Sequence, residues 1–371
     1  MLGRMKVLEI SLSAKSMDMR KYIKYIALCS IILTMSCQKH TYSPDGIFSE
    51  GGVISFSTRV VTKAPIITEL NGEHFGVYGY NFSNLTNWNT YKTTATPNVF
   101  HNLDVTCSET DGSCSYVYSS TDPEEEIING RKQWELNKRY SYFAYYPYSS
   151  NVNNLTPSGA NIENSPYIKY TMPASTSVNP DDLIDIMTAK VTDYIATQGT
   201  TVRFSFYHRL FCIDLYGQNF NATDINLSDL SMTISGIYYN ETKIYMDRDE
   251  HSESSSSADW NTTKAITCPI LSSAESIIVA ANGESTPLTG DKNIVLIPQD
   301  SSADGAIGLT INIKFKKDGA TEYTTRTATY NVDFQEGKKY SLTLNFIGND
   351  VILVAADAAP WEKKDVTHTF D

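Results

Sequence analysis

The stretch TVRFSFYHRLFCIDLYG, residues 201–217, decides the fold class. Val202, Phe204, Phe206, Leu210 and Cys212 fall on one face of it, and Arg203, Ser205, Tyr207 and Arg209 fall on the other. Side chains alternate across a strand with a period of two, so the pattern is that of a β-strand with one buried side. His208 lies on the apolar side and is expected to be a core residue with a hydrogen-bonded partner. Cys212, on the same side, is expected to be an inert core thiol.

The same grammar extends in both directions. In GGVISFSTRVVTKAP (51–65), Ile54, Phe56 and Val60 share one face while Ser55, Ser57 and Arg59 share the other. FGVYGYNF (75–82) follows, and then WELNKRYSYFAYYPYSS (134–150), where Tyr140, Tyr142 and Ala144 oppose Ser141, Phe143 and Tyr145. A strand apolar on both sides belongs in the middle of a sheet, and Pro147 ends it. PDDLIDIMTAKVTDYIATQGT (180–200) reads as a connector. Its segment Asp181 to Tyr194 is the best candidate for helical periodicity, yet it is short and broken by β-branched residues, so very little helix is expected. Beyond it, LSMTISGIYY, KNIVLIPQD, LTINIKFKK, RTATYNVDF and KKYSLTLNF continue the short strands and turns of a sandwich. An all-β chain of 371 residues has length for two domains. They are expected at 51–194 and 195–371.

The amino end reads as an export signal. The apolar run Ile26–Met35 is ten residues, whereas a membrane-crossing helix needs about 20. Arg20, Lys21 and Lys24 precede the run and small Ser36 follows it, as in a signal peptide spanning 1–36, with translation starting at Met17 or Met19. The next residue, Cys37, stands where the lipobox of bacterial lipoproteins places its lipidated cysteine, although Thr34 occupies the position usual for Leu. Residues 37–50 then form a polar tether between a palmitate-type anchor and the fold.

The net charge of −12 argues against nucleic acid and against anionic membrane surfaces as partners, and no basic cluster follows the signal along the sequence. Membrane contact is expected only through the lipid. Of six cysteines, Cys107 and Cys114 bracket CSETDGSC, whose Asp111-Gly112 favours a tight turn, and they form a candidate disulfide in an oxidising compartment. HExxH, GxSxG, phosphate-loop and CxxC motifs are absent, and the six histidines are scattered. The chain is therefore expected to be no enzyme, with no catalytic residue, no cofactor and no metal; MDRDEHSE lacks the central Gly and closing Glu of a calcium loop.

The lipobox-like Cys37, the strand ISFSTRVVTKA, the connector DDLIDIMTAK, the strand FSFYHRLFCIDL and the ending FQEGKKYSLTLNFIGNDVILVAADAAPWEKK together resemble the fimbrillin family of Bacteroidales surface pilins. The most specific parts are Phe206, His208 and Leu210, and then Gly337, Tyr340 and Trp361. The resemblance implies two transthyretin-like Greek-key β-sandwiches in tandem and export as an outer-membrane lipoprotein. It also implies polymerisation into fimbriae with other pilin subunits, after an Arg- or Lys-specific protease removes the first strand. On these residues the removable strand carries Ile54, Phe56 and Val60. The cut falls after Arg59, with Lys63 as second choice, and the donor strand presents Val351, Leu353 and Ala355. Host or bacterial surface ligands fit an adhesive role at the cell surface. The alternative is a monomeric surface lipoprotein that binds glycans through exposed aromatics such as Trp88, Tyr91, Trp134 or Trp260.

Overall fold

The computed structural model describes residues 52–60, 70–108, 113–118, 130–161, 164–173, 177–195, 201–237, 239–248, 253–255, 264–272, 275–290, 294–299, 307–332, 334–355 and 358–360. The expected signal, Cys37, the tether, Lys63, Trp260 and Trp361 lie outside them.

Nine strands come first: β1 (Ser55–Val60), β2 (His74–Ser83), β3 (Phe100–Cys107), β4 (Ser113–Ser115), β5 (Lys138–Tyr146), β6 (Leu155–Pro157), β7 (Tyr167–Thr171), β8 (Met187–Ile195) and β9 (Thr201–His208). Thirteen follow: β10 (Phe211–Asn219), β11 (Ile225–Ile237), β12 (Glu241–Tyr245), β13 (Glu253–Ser255), β14 (Lys264–Leu271), β15 (Ile277–Val279), β16 (Thr286–Pro287), β17 (Ile294–Leu296), β18 (Ile307–Lys317), β19 (Thr324–Val332), β20 (Lys338–Ile347), β21 (Asp350–Ala355) and β22 (Ala359–Pro360). The α-helix of the described residues is a single turn, α1 (Trp88–Tyr91), whose N-cap Asn87 accepts from the Thr90 amide. The all-β expectation holds.

The amino-terminal sheet closes on itself, in the order β1-β4-β3-β2-β5-β8-β9 and back to β1. A second sheet runs β16-β10-β20-β21, with β17 on β10 and β22 on β20; a third runs β14-β11-β18-β19, with β15 on β11; a small fourth runs β13-β12-β7-β6. Two apolar clusters result. One fills the barrel with Ile54, Phe56, Phe75, Val77, Tyr140, Tyr142, Phe204 and Phe206. The other joins the second and third sheets to the outer face of β2 and β5, through Tyr78, Tyr80, Phe143 and Tyr145. Strand β5 is therefore apolar on both faces because each face meets a different core, and it lies between β2 and β8 as a central strand.

Three expectations are corrected. The stretch 201–217 is two strands in two sheets, broken at Arg209 and Leu210. Up to His208 the chain alternates between buried and open sides, whereas from His208 to Leu215 every residue is buried. Arg209 belongs to this buried run, at 3% exposure, and does not extend the polar face. Second, the boundary expected near residue 195 falls before β9, yet β9 is hydrogen-bonded to β1 and β8 in the barrel; the chain passes to the next sheet at Arg209. Third, the expected connector 180–200 contains β8, whose Met187 and Ala189 turn into the barrel core.

Candidate functional site

Strand β1 fills a slot between two unequal neighbours. On one side it runs parallel to β9, from Ser55 opposite Thr201 to Val60 opposite Phe206. On the other it meets β4 antiparallel through only Phe56↔Cys114 and Ser57↔Ser113. Ile54 and Phe56 are 1% and 3% exposed. The Phe56 ring lies 5.5–5.8 Å, centroid to centroid, from Phe100, Tyr116, Tyr142 and Phe204. Just before the strand, the Ile54 amide donates to the Lys132 carbonyl at 2.9 Å, and the Tyr116 hydroxyl donates to the Ile54 carbonyl at 2.9 Å. Arg59 occupies the fifth position of β1 with its backbone opposite Ser205.

The short neighbour β4 is itself fastened. Cys107 of β3 and Cys114 of β4 stand opposite one another in register and are joined as a disulfide. The Thr58 hydroxyl of β1 lies 3.8 and 3.9 Å from the two sulfurs. The remaining described cysteines, Cys212 and Cys268, are buried thiols outside any disulfide. Burial pushes the Cys212 thiol well above its ordinary pKa and the Cys268 thiol up to about 12.

At the carboxyl side, β21 is the last strand of its sheet and pairs antiparallel with β20 through a tight turn, Ile347 facing Asp350. Val351, Leu353 and Ala355 turn inward and pack half-buried on the second core. Ile352 and Val354 point outward and are 52% and 46% exposed. The donor-type residues are thus docked on their own sheet, shallowly compared with Ile54 and Phe56.

Three distant sequence motifs meet where the chain leaves the barrel. His208 Nδ1 lies 2.8 Å from Asp185 Oδ1, both groups buried. The Arg209 amide donates to the Ile186 carbonyl at 2.8 Å, and its Nε lies 2.9 Å from Glu336 Oε1. The Gly337 amide donates to the Leu210 carbonyl at 2.9 Å. Gly337 has φ +65°, and a Cβ there would sit 3.4 Å from the His208 carbonyl oxygen. The connector, the Phe-x-His-x-Leu strand and the Gly-x-x-Tyr ending are therefore parts of one knot. Periodicity gave no sign of this, because the connector lies 23 positions from its partners and the ending more than a hundred.

Among the described residues, the aromatics of the glycan-binding alternative, Trp88, Tyr91 and Trp134, are packed against other rings. Trp88 and Trp134 are 3% and 1% exposed. Trp88 packs on Phe143 at 4.7 Å, Trp134 on Tyr140 at 4.7 Å, and Tyr91 stacks on Phe82 at 4.6 Å. Apolar burial outbids exposure for rings of this size. Lys190, Arg203 and Arg248, scattered along the sequence, line one cleft.

A model of the fimbrillin-like family matches residues 58–361. Among solved structures, a fimbrial protein from Bacteroides vulgatus is similar at 19% identity and a TM-score of 0.53, covering 83% of this chain and 99% of that one. A candidate cell adhesion protein from Bacteroides ovatus is similar at 17% identity and a TM-score of 0.50, covering 85% and 99%. At these identities the likeness is one of fold. No curated protein matches.

Proposed function

We propose, from the premise that this chain belongs to the fimbrillin-like family, that it is a structural and adhesive subunit of surface fimbriae, made as an outer-membrane lipoprotein anchored at Cys37 and assembled by strand exchange. Cleavage after Arg59, or after Lys63, severs β1, still joined to its anchor, from the rest of the chain, and a tail strand from a neighbouring subunit carrying Val351, Leu353 and Ala355 takes its place. The observation that carries the reading is the setting of β1: an integral barrel strand, with Ile54 and Phe56 in the core, that has Arg59 at its fifth position and Lys63 three residues past its end in the sequence. A strand removed from such a place exposes backbone groups and an apolar groove together, which is what β-strand addition requires.

Direction comes from the protease. Ile54 and Phe56 each contribute about 1.5–3 kcal/mol of burial, and an incoming tail must first leave β20, on which it is half-buried. While β1 remains covalently attached it recaptures its slot at high effective concentration and the self-filled state is favoured; the cut removes that advantage.

The test is the full chain carrying Arg59→Ala and Lys63→Ala together, treated with an Arg/Lys-specific protease. The expected outcome is an unpolymerised monomer where the unaltered chain gives SDS-resistant ladders. Ladders of normal length from the double variant overturn the assignment of the cut.

A further inference from the structure

The barrel closes through its shortest wall. Between β3 and β1 stands β4, three residues long, with two register pairs on each side. The segment that contains it grips β1 along the buried part of that strand. Cys114 stands opposite Phe56 and Ser113 opposite Ser57. Just past the strand, the Tyr116 hydroxyl donates to the Ile54 carbonyl at 2.9 Å, and its ring lies 5.5 Å from that of Phe56. Residues 113–116 thus form a clasp over β1, and a clasp holds only as firmly as it is fixed on its far side.

On that far side, toward β3, the described fastenings are the ladder pairs Thr106↔Ser115 and Cys107↔Cys114, a bond from the Ser108 amide to the Ser113 carbonyl at 2.7 Å, and the disulfide. The covalent one falls on Cys114, the residue opposite Phe56. A typical strand has about five or six residues, and a short two-strand pairing is marginal by itself. A cross-link over a separation of 7 residues removes disorder that the clasp would otherwise gain on opening; by chain entropy it favours the closed clasp about 10- to 100-fold. Both sulfurs also lie against β1, at 3.8 and 3.9 Å from the Thr58 hydroxyl, so the cross-link is part of the slot wall. Cys212 and Cys268 belong to the other core, and electrons that open the bond come from an external dithiol.

We propose that Cys107–Cys114 is a redox latch on the slot of β1. Joined, the two cysteines hold the clasp shut over Phe56 and keep β1 seated; as two thiols they let the clasp lift and β1 leave. The opening step is thiol–disulfide exchange. A thiolate of the dithiol attacks one sulfur, the S–S bond breaks, and the departing sulfur takes up a proton. The second thiol of the reagent then resolves the mixed disulfide, so the protein gains two thiols and the dithiol leaves as a disulfide. An oxidising compartment closes the latch and a reducing one opens it. The latch is a property of the uncut chain; its use in assembly rests on the strand-exchange reading above.

The test compares the full-length uncut chain, oxidised and treated with dithiothreitol, by hydrogen exchange and mass spectrometry. Peptides from β1 and β9 are expected to exchange about 10- to 100-fold faster after reduction, while those from β11 and β18 keep their rates. The Cys107→Ala and Cys114→Ala double variant is expected to match the reduced chain and to ignore dithiothreitol. Should that variant fail to fold, reversal of the effect when oxidised glutathione re-forms the bond in the unaltered chain carries the assignment. Three results overturn the latch: unchanged protection of β1 and β9 on reduction, equal acceleration in β11 and β18, or free thiols at Cys107 and Cys114 in the chain isolated under oxidising conditions. After cutting with an Arg/Lys-specific protease, release of the β1 fragment on size exclusion is expected to quicken in dithiothreitol. A chain whose β1 loosens on reduction, yet gives no ladders once cut, keeps the latch and fails only the strand-exchange reading.

Discussion

The substitution Phe56→Ala removes the ring that ties β1 into the barrel. That ring is 3% exposed and touches four other aromatics, and deleting a core phenylalanine costs about 3–5 kcal/mol. Ile54 and the six-pair register with β9 remain, so the chain is expected to fold but to open locally. A loss of that size raises the population of the open state by roughly 10²- to 10⁴-fold. Hydrogen exchange read by mass spectrometry measures it peptide by peptide. Peptides from β9, hydrogen-bonded to β1, are expected to exchange faster by that factor, while those from β11 and β18 keep their protection. Ile352→Ala on the half-exposed face of β21 is the control, expected within about 0.5 kcal/mol of the unaltered chain. Equal acceleration in β9, β11 and β18, or less than about tenfold in β9, would refute the idea that β1 opens as a separate unit.

Other outcomes follow from the knot and its surroundings. Glu336→Gln leaves Arg209 buried without its countercharge and is expected to cost about 3–5 kcal/mol in urea unfolding, against less than about 1 kcal/mol for Asp350→Asn, whose partner Arg326 is 39% exposed. Gly337→Ala forces a side chain into a left-handed backbone and is expected to destabilise by about 1 kcal/mol or more, whereas Asn137→Gly, at φ +62°, is expected to be close to neutral in the same assay. Burial would raise the pKa of Asp247, but hydrogen bonds from Ser165 and Lys92 outweigh that and hold it below the usual carboxylate range. Its contribution is therefore present above the unfolded pKa and is lost as pH falls through the folded one; Asp247→Asn is expected to flatten the acid limb of the melting temperature against pH. Cys212 and Cys268 are expected to resist thiol reagents until the chain is unfolded, as measured by labelling with and without denaturant.

Much of this architecture could be read from residues alone, and the failures have physical causes. The two apolar faces of 138–146 announced a central strand because burial on both sides leaves no polar alternation. The break after His208 was equally visible: strict alternation gives way to the unbroken run Leu210–Ile213, the signature of a strand covered on both sides. Strand β8 was missed although Met187, Ala189 and Val191 alternate, since the Asp-rich lead-in and the left-handed Asp193, φ +59°, resemble a linker. Helix α1 is too short to show a period. A repeated hook was present in plain sight. Trp134-Glu135-Leu136-Asn137-Lys138-Arg139-Tyr140 and Phe334-Gln335-Glu336-Gly337-Lys338-Lys339-Tyr340 both place a left-handed residue three before the tyrosine. In each, the tyrosine hydroxyl accepts from the amide five residues back, at 2.7 and 2.8 Å, and packs edge-on against the leading ring. Each hook starts a strand, β5 or β20. The knot and the cleft of Lys190, Arg203 and Arg248, by contrast, are assembled from distant segments, and no local pattern encodes them.

The unequal flanks of β1 carry a consequence for geometry. Ladder hydrogen bonds have a sense, and the long flank, β9, accepts a companion pointing its own way. Under the proposed exchange, one copy would give a tail and the other a slot, so two joined copies could not be exchanged by a half-turn. Joints of that kind run on as an open filament unless their rotation closes a ring. Such a filament would carry a vacant berth at one extremity and an unspent tail at the other.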